Sequence, residues 1–212
     1  MKHPRVLIAD DHMLFGESFR KLLEPSCDVV ETVADGFTAL EVAAATKPDV
    51  VILDISMPLM NGLEVGRRLK RDMPATKIIY LTMNEDPELA LEATRDGVCG
   101  YILKTSAASE LFHAIQALLR GRSYITPQIA RRIEDAFIRD PATKPLVREL
   151  TPRQREVLQL LAEGKSMKEA ADILRVTPRT IAFHKYRMME HLGARTTADL
   201  IQFAIRVKIL VI

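Results

Sequence analysis

Residues 1–122 carry five short runs rich in Val, Ile and Leu, each followed by a stretch of helical periodicity, and this alternation restricts what they can fold into. The runs span 5–9, 28–32, 49–53, 77–82 and 99–103. Three are continuously apolar without alternation, as expected of strands covered on both faces. Helical patterns lie near 13–24, 37–46, 62–72, 86–95 and 108–121. Five βα units in succession imply an α/β doubly wound, five-stranded parallel sheet with right-handed crossovers. Such a sheet offers its ligand site at the carboxyl ends of the strands, where the strand order reverses.

Polar residues stand at those ends. Asp10 and Asp11 follow the first run, Asp54 follows the third, Thr82 closes the fourth and Lys104 follows the fifth. Each alone has a plainer explanation: Asp11 can cap the next helix, Asp54 can belong to a turn, and Lys104 can be a solvated charge. Those explanations leave their common placement unaccounted for. Three carboxylates gathered in one crevice repel, and a divalent cation relieves the repulsion. Mg²⁺ prefers oxygen ligands, retained waters and a substrate phosphate. A carboxylate beside it can attack a phosphoryl group. Lys104 would then balance the transferred charge, and the Thr82 hydroxyl would bond one of its oxygens.

After Arg122 the pattern and the charge both change. The first 122 residues hold 14 basic and 18 acidic side chains and the remainder 16 and 10, so a net charge of +2 conceals halves of −4 and +6. A sign change of this kind suggests two domains with different partners. The divisions expected are a first domain over 1–122, a linker over 123–147 and a second domain over 148–212. Thr126 and Pro127 open a helix expected over 126–139, and the prolines at 141 and 145 break regular structure beyond it. Thr151 with Gln154 and Ser166 with Glu169 are capping boxes, Thr177-Pro178 starts a third helix, and Thr196 or Thr197 starts a fourth.

The second and third of these helices, joined by Arg175-Val176-Thr177, have a helix-turn-helix outline without the glycine often found in the turn. On the third, Ile181, Met188 and Leu192 share one face, with His184 and Lys185 beside it. The opposite face carries Arg179, Ala182, Phe183, Tyr186, Arg187 and Glu190. That mixture suits a major groove, with Arg for guanine or phosphate and apolar groups for thymine methyls. The last helix, expected over 197–210, is apolar on more than one face through Leu200, Ile201, Phe203, Ala204, Ile205, Val207, Ile209 and Leu210. One stripe must pack inward, and the surplus points to a partner.

Other classes are disfavoured. No run approaches the roughly 20 apolar residues of a membrane span, so no membrane partner is expected. Val6–Ala9 is too short for a signal-peptide apolar region. Cys27 and Cys99 are isolated, which fits reduced thiols in a cytoplasmic protein.

The motifs Val6-Leu-Ile-Ala-Asp-Asp11, Asp54-Ile-Ser-Met-Pro58 with Asn61-Gly62, Leu81-Thr82 and Gly100-Tyr-Ile-Leu-Lys104 resemble the receiver domain of two-component response regulators. The segments around 150–158, 162–171, 176–184 and 191–195 resemble a LuxR-type DNA-binding domain. Together they make the chain similar to the NarL/FixJ class. The resemblance implies a flavodoxin-like sheet of order 2-1-3-4-5 followed by a four-helix helix-turn-helix domain. It implies that Asp54 is the phosphoacceptor for a histidine kinase, that Asp11, Asp54 and the Ser56 carbonyl hold Mg²⁺, and that Asp10 assists through water. Thr82 and Tyr101 become a switch pair in which the hydroxyl moves toward the phosphoryl group and the ring turns inward. Ala182, Phe183 and Tyr186 become the base-reading positions on double-stranded DNA, where several relatives carry Lys at the first and third. Arg179, Lys185, Lys165 and Arg153 become phosphate contacts. Leu200, Ile201, Ala204 and Ile205 become dimer contacts of a homodimer. With 8 basic and 5 acidic side chains over 151–192, one copy is only weakly basic for a DNA binder, which also favours a dimer.

Two rivals stand beside this reading. An aspartyl-phosphate phosphohydrolase would need a second carboxylate two positions after Asp54, where Ser56 stands, so turnover of external substrates is not expected. A DNA-binding protein whose first domain only dimerises would not need all five site residues.

Overall fold

The computed structural model describes residues 3–95, 97, 99–139, 150–206 and 209. It comprises two compact units, Met1–Thr143 and Lys144–Ile212.

The first unit runs β1 (Arg5–Ala9), α1 (Met13–Leu23), β2 (Asp28–Val33), α2 (Gly36–Thr46), β3 (Val50–Asp54), α3 (Gly62–Asp72), β4 (Lys77–Thr82), α4 (Pro87–Thr94), β5 (Gly100–Leu103), α5 (Ala107–Leu119), β6 (Tyr124–Ile125) and α6 (Pro127–Arg139). The strands are parallel in the order β2-β1-β3-β4-β5-β6. The expected order 2-1-3-4-5 is present, and a sixth strand replaces the expected five-strand count. Two residues are too short to show a period in sequence. They become a strand because the Tyr124 N–H donates to the Cys99 carbonyl at 3.2 Å and the Thr126 N–H to the Tyr101 carbonyl at 2.9 Å. The Thr126 hydroxyl also accepts from the Leu103 N–H at 3.2 Å and donates to Glu110 at 2.7 Å.

Both faces of the sheet are covered, which explains the unbroken apolar strands: every residue of β3 is buried. On one side Val6, Ile8, Val50, Ile52, Ile79, Leu81 and Ile102 pack against Phe19 and Leu23 of α1 and Leu111, Ala114, Ile115 and Leu118 of α5. Cutting one such residue back to Ala typically costs about 2–5 kcal/mol. The helices begin at sequence-encoded caps. Asp35 accepts from the Phe37 and Thr38 N–H groups, Asn61 from Glu64 and Asp86 from Glu88.

Register then fixes the site. Ala9 pairs with Leu53, Asp54 with Leu81 and Thr82 with Leu103. The residues just beyond, or closing, these strands therefore share one edge of the sheet.

The first unit extends past residue 122. Helix α6 packs on α4, its Ile129 is fully buried, and Arg132 pairs with Glu85. The segment expected as linker thus begins inside this unit. Residues 140–145, read from sequence as breaking regular structure, lie outside the described residues.

Among its described residues the second unit has four helices: α7 (Pro152–Ala162), α8 (Met167–Ile173), α9 (Pro178–Leu192) and α10 (Thr197–Arg206). Both expected capping boxes form, with Thr151 and Gln154 on α7 and Ser166 and Glu169 on α8. Gly193 ends α9 in the left-handed region at φ 66°. Arg175, in the turn between α8 and α9, occupies that region at φ 52° without being glycine. Val157, Leu158, Leu161, Ile181, Met188, Leu200 and Phe203 are among the buried residues. Val207 and Leu210, expected on the last helix, lie outside the described residues. Among the described residues no helix is long and apolar enough to cross a membrane.

Candidate functional site

Four chain segments converge at the carboxyl edge of the sheet. Lys104 is held level with the end of β4 because its N–H donates to the Thr82 carbonyl at 2.8 Å. Its ammonium lies 2.9 Å from Asp10 Oδ2 and 2.9 Å from Asp54 Oδ2, with its side chain only 2% exposed. The second Asp54 oxygen accepts from the Ser56 N–H at 3.1 Å. Asp11 is partly exposed beside this buried trio.

The electrostatics follow from the burial. Removal from water pushes the Asp54 carboxyl above the usual carboxylate range, and nearby Asp10 adds to the rise, while Lys104 and the Ser56 N–H oppose it. Asp10, Asp11, His12 and Asp54 each offer a ligand atom, and these atoms lie within 4.8 Å of one another. That donor set, mostly carboxylate oxygen with one partly open side, fits a hard divalent cation.

Thr82 is fully buried, and its hydroxyl accepts from the Asn84 N–H at 2.9 Å. Tyr101 is also fully buried, with its ring turned inward and its hydroxyl 3.5 Å from the Asn84 carbonyl. Burial pushes the phenol far above its ordinary range, and Asp86 adds to the rise while a hydrogen bond with Thr82 opposes it. Thr82 and Tyr101 are thus both tied to Asn84, one to its N–H and the other to its carbonyl. Exposed Met83 follows Thr82. Backbone proximity adds a further constraint: a Cβ on Gly62 would lie 2.2 Å from the Asp54 carbonyl oxygen, so only glycine lets α3 start this close to the acidic strand end.

In the second unit α8 and α9 form the two helices of a helix-turn-helix. Ile181 and Met188 face the core, while Arg179, Phe183, Tyr186, Arg187 and Glu190 are exposed. Ala182 and Lys185 are half-buried. Arg153 is held internally, donating to Glu156 at 2.7 Å and to the Leu174 carbonyl at 3.0 Å.

Residues 6–116 match the response regulator receiver domain, and residues 148–204 match the luxR family of bacterial regulatory proteins. This chain is a response regulator. It is 33% identical to the oxygen regulatory protein NreC of Staphylococcus carnosus (strain TM300) over 97% of this chain and 99% of that protein. A solved RcsB response regulator of Salmonella typhimurium aligns with a TM-score of 0.64 at 30% identity, covering 98% of this chain and 99% of that one. A structure of two RcsB dimers bound to two parallel DNAs aligns at 0.60 and 30% identity, covering 97% and 100%. The response regulator is thus of the NarL/FixJ class, a phosphorylation-controlled, DNA-binding transcriptional regulator.

The fold of this regulator brings Asp10, Asp54 and Lys104 into direct contact, sets Asp11 and Ser56 beside them, and ties both Thr82 and Tyr101 to Asn84. On α10 it separates residues that sequence grouped together. Leu200 and Ala204 are fully buried, which leaves Ile205 exposed and Ile201 half-buried. The contributions of two side chains, His12 and Phe15, were not read from sequence. His12 Nδ1 lies 2.9 Å from Asp11 and 3.5 Å from Asp10. The Phe15 ring lies 5.0 Å from the Lys104 ammonium, within cation–π range. Asn84 anchors Thr82, and Gly62 admits α3. His12 carried a signal in its adjacency to the acidic pair, whereas the Phe15 contact depends on the turn of α1 and has none.

Proposed function

We propose that Asp54 is the phosphoacceptor of this regulator and that a phosphohistidine of a partner kinase is the donor. The observation that carries this reading is the buried Lys104 ammonium bridging Asp10 and Asp54. In the transfer an Asp54 carboxylate oxygen forms the new P–O bond as the donor P–N bond breaks. Lys104 balances the added negative charge, which requires no proton movement at its ammonium. The Thr82 hydroxyl, now engaged by the Asn84 N–H, swings to a phosphoryl oxygen. Asp10, Asp11, Asp54 and the Ser56 carbonyl would hold Mg²⁺, the hard cation that fits this donor set and would neutralise charge on the transferring group.

The output is DNA binding through α9, with Ala182, Phe183 and Tyr186 toward the bases and Arg179 and Lys185 toward phosphates. Ile201 and Ile205 of α10 supply a dimer contact. A dimer doubles the positive charge of the helical domain and matches the two half-sites that helix-turn-helix dimers span, about 34 Å apart. RcsB, 30% identical to this chain, has been captured as dimers on DNA.

Incubation with a small-molecule phosphodonor and Mg²⁺, followed by intact mass and peptide mapping, tests the first step. One phosphoryl group on the peptide containing Asp54, absent in Asp54→Asn and in chelator, is expected. Modification elsewhere, or unchanged labelling of Asp54→Asn, would refute the assignment.

A further inference from the structure

Two large aromatic side chains lie open to solvent on α9. Phe183 is 57% exposed and Tyr186 is 60% exposed, although the unit has a core that buries Ile181 and Met188 on the same helix. They stand in the middle of a stripe formed by Arg179, Phe183, Tyr186, Arg187 and Glu190, whose spacings of three and four residues put them on one helical face. Exposed apolar groups clustered this way mark a binding surface. The cations nearest the centre are laid over the rings: the Arg187 guanidinium is 5.7 Å from the Phe183 centroid, and the Lys185 ammonium 5.9 Å from that of Tyr186. The two rings form the apolar middle of the stripe, with the Arg187 and Lys185 cations drawn onto them and Arg179 and Glu190 at its ends.

This pattern narrows what a duplex must present. Phosphates reward cations, and guanine is read best by a bidentate Arg or Lys. The C5-methyl of thymine is the apolar group that a base pair displays in the major groove. We infer that Phe183 and Tyr186 read the C5-methyl groups of thymines, so that the centre of each half-site is a T·A-rich step rather than a guanine contact. The inference rests on the DNA-binding reading above and adds the chemistry being read. Arg179 and Arg187 position the helix on the backbone, and the Tyr186 hydroxyl leaves that ring one polar contact.

The test uses the full chain with beryllofluoride and Mg²⁺, and the tightest duplex it recovers from a randomised pool. Replacing single thymines by deoxyuridine removes only the methyl and keeps the pair. A buried methyl at about 0.8 kcal/mol corresponds to about fourfold in affinity. Each contacted position should therefore weaken about fourfold with deoxyuridine. Phe183→Ala should abolish that penalty at one position and Tyr186→Ala at another, while Arg187→Ala should weaken thymine and uracil duplexes equally. At the same positions 5-methylcytosine should bind about fourfold tighter than cytosine, which separates the methyl from the A·T pair that carries it. Deoxyuridine duplexes bound as tightly as the parent would overturn the inference alone. So would a penalty that persists in both alanine variants, or single strands bound as tightly as the duplex. A chain that selects no duplex overturns the DNA-binding reading with it.

Discussion

Replacing Lys104 by Met removes a charge while keeping an unbranched side chain of nearly the same length. In the structure that charge lies 2.9 Å from a carboxylate oxygen on each of Asp10 and Asp54, and all three side chains are at most 2% exposed. Breaking a buried ion pair from one side costs about 3–5 kcal/mol, because the remaining charge loses its compensation. Protonation sets a ceiling. If one carboxylate of ordinary pKa about 3.9 takes up a proton at pH 7, the cost is about 4 kcal/mol, and it falls by about 1.4 kcal/mol per pH unit below that. The sign is fixed by linkage. A carboxylate raised above its unfolded value leaves the folded state holding more protons, so stability is lost as pH rises. The wild type carries a smaller slope of the same sign through Asp54, opposed there by Lys104. Urea unfolding of both proteins between pH 5 and 8 should therefore show a stability gap that widens with pH, to about 3–4 kcal/mol near pH 7. Millimolar Mg²⁺ should narrow it by supplying charge to the same carboxylates. A gap below about 1 kcal/mol, or one flat across this range, would refute the reasoning.

Other perturbations test other parts of the account. Gly62→Ala places a Cβ 2.2 Å from the Asp54 carbonyl oxygen, so the start of α3 must shift. A loss of about 1–3 kcal/mol in urea unfolding, with weaker beryllofluoride binding, is expected from such overpacking. Arg175→Gly relieves a left-handed residue at φ 52°. A gain of about 0.5–1 kcal/mol is expected after subtracting the backbone entropy that glycine adds, and a loss would mean that the Arg side chain holds the turn. His184 has its imidazolium disfavoured by burial and by nearby Arg153. Its NMR titration should fall below the ordinary 6.5, and stability of the helical unit should drop as pH falls from that value toward the lowered one. His184→Asn should flatten that segment of the profile, and an unchanged profile would assign the slope elsewhere.

The sheet was legible because its signals are local. Unbroken apolar runs such as Val50–Leu53 exist where helices cover both faces, and the capping boxes at Thr151 and Ser166 announce the helices they start. The acidic site was legible because parallel strands in register deliver the residues after them to one edge. Contacts made across sequence distance were not. Strand β6 is two residues held by hydrogen bonds to β5, and no period marks it. Ile129 is buried on α6, a helix that packs on α4. On α10 the composition promised a surplus of apolar surface, but burial of Leu200 and Ala204 leaves it narrower than the sequence suggested.

The central claim is that phosphorylation chemistry at Asp54 controls DNA binding by α9. Affinity of the full chain for its selected duplex, measured with and without beryllofluoride and Mg²⁺ for wild type and Asp54→Ala, tests it most directly. Tighter binding on adding both reagents to wild type, lost in chelator and absent in Asp54→Ala, is the predicted result. Equal affinity for both proteins in every condition would contradict the account.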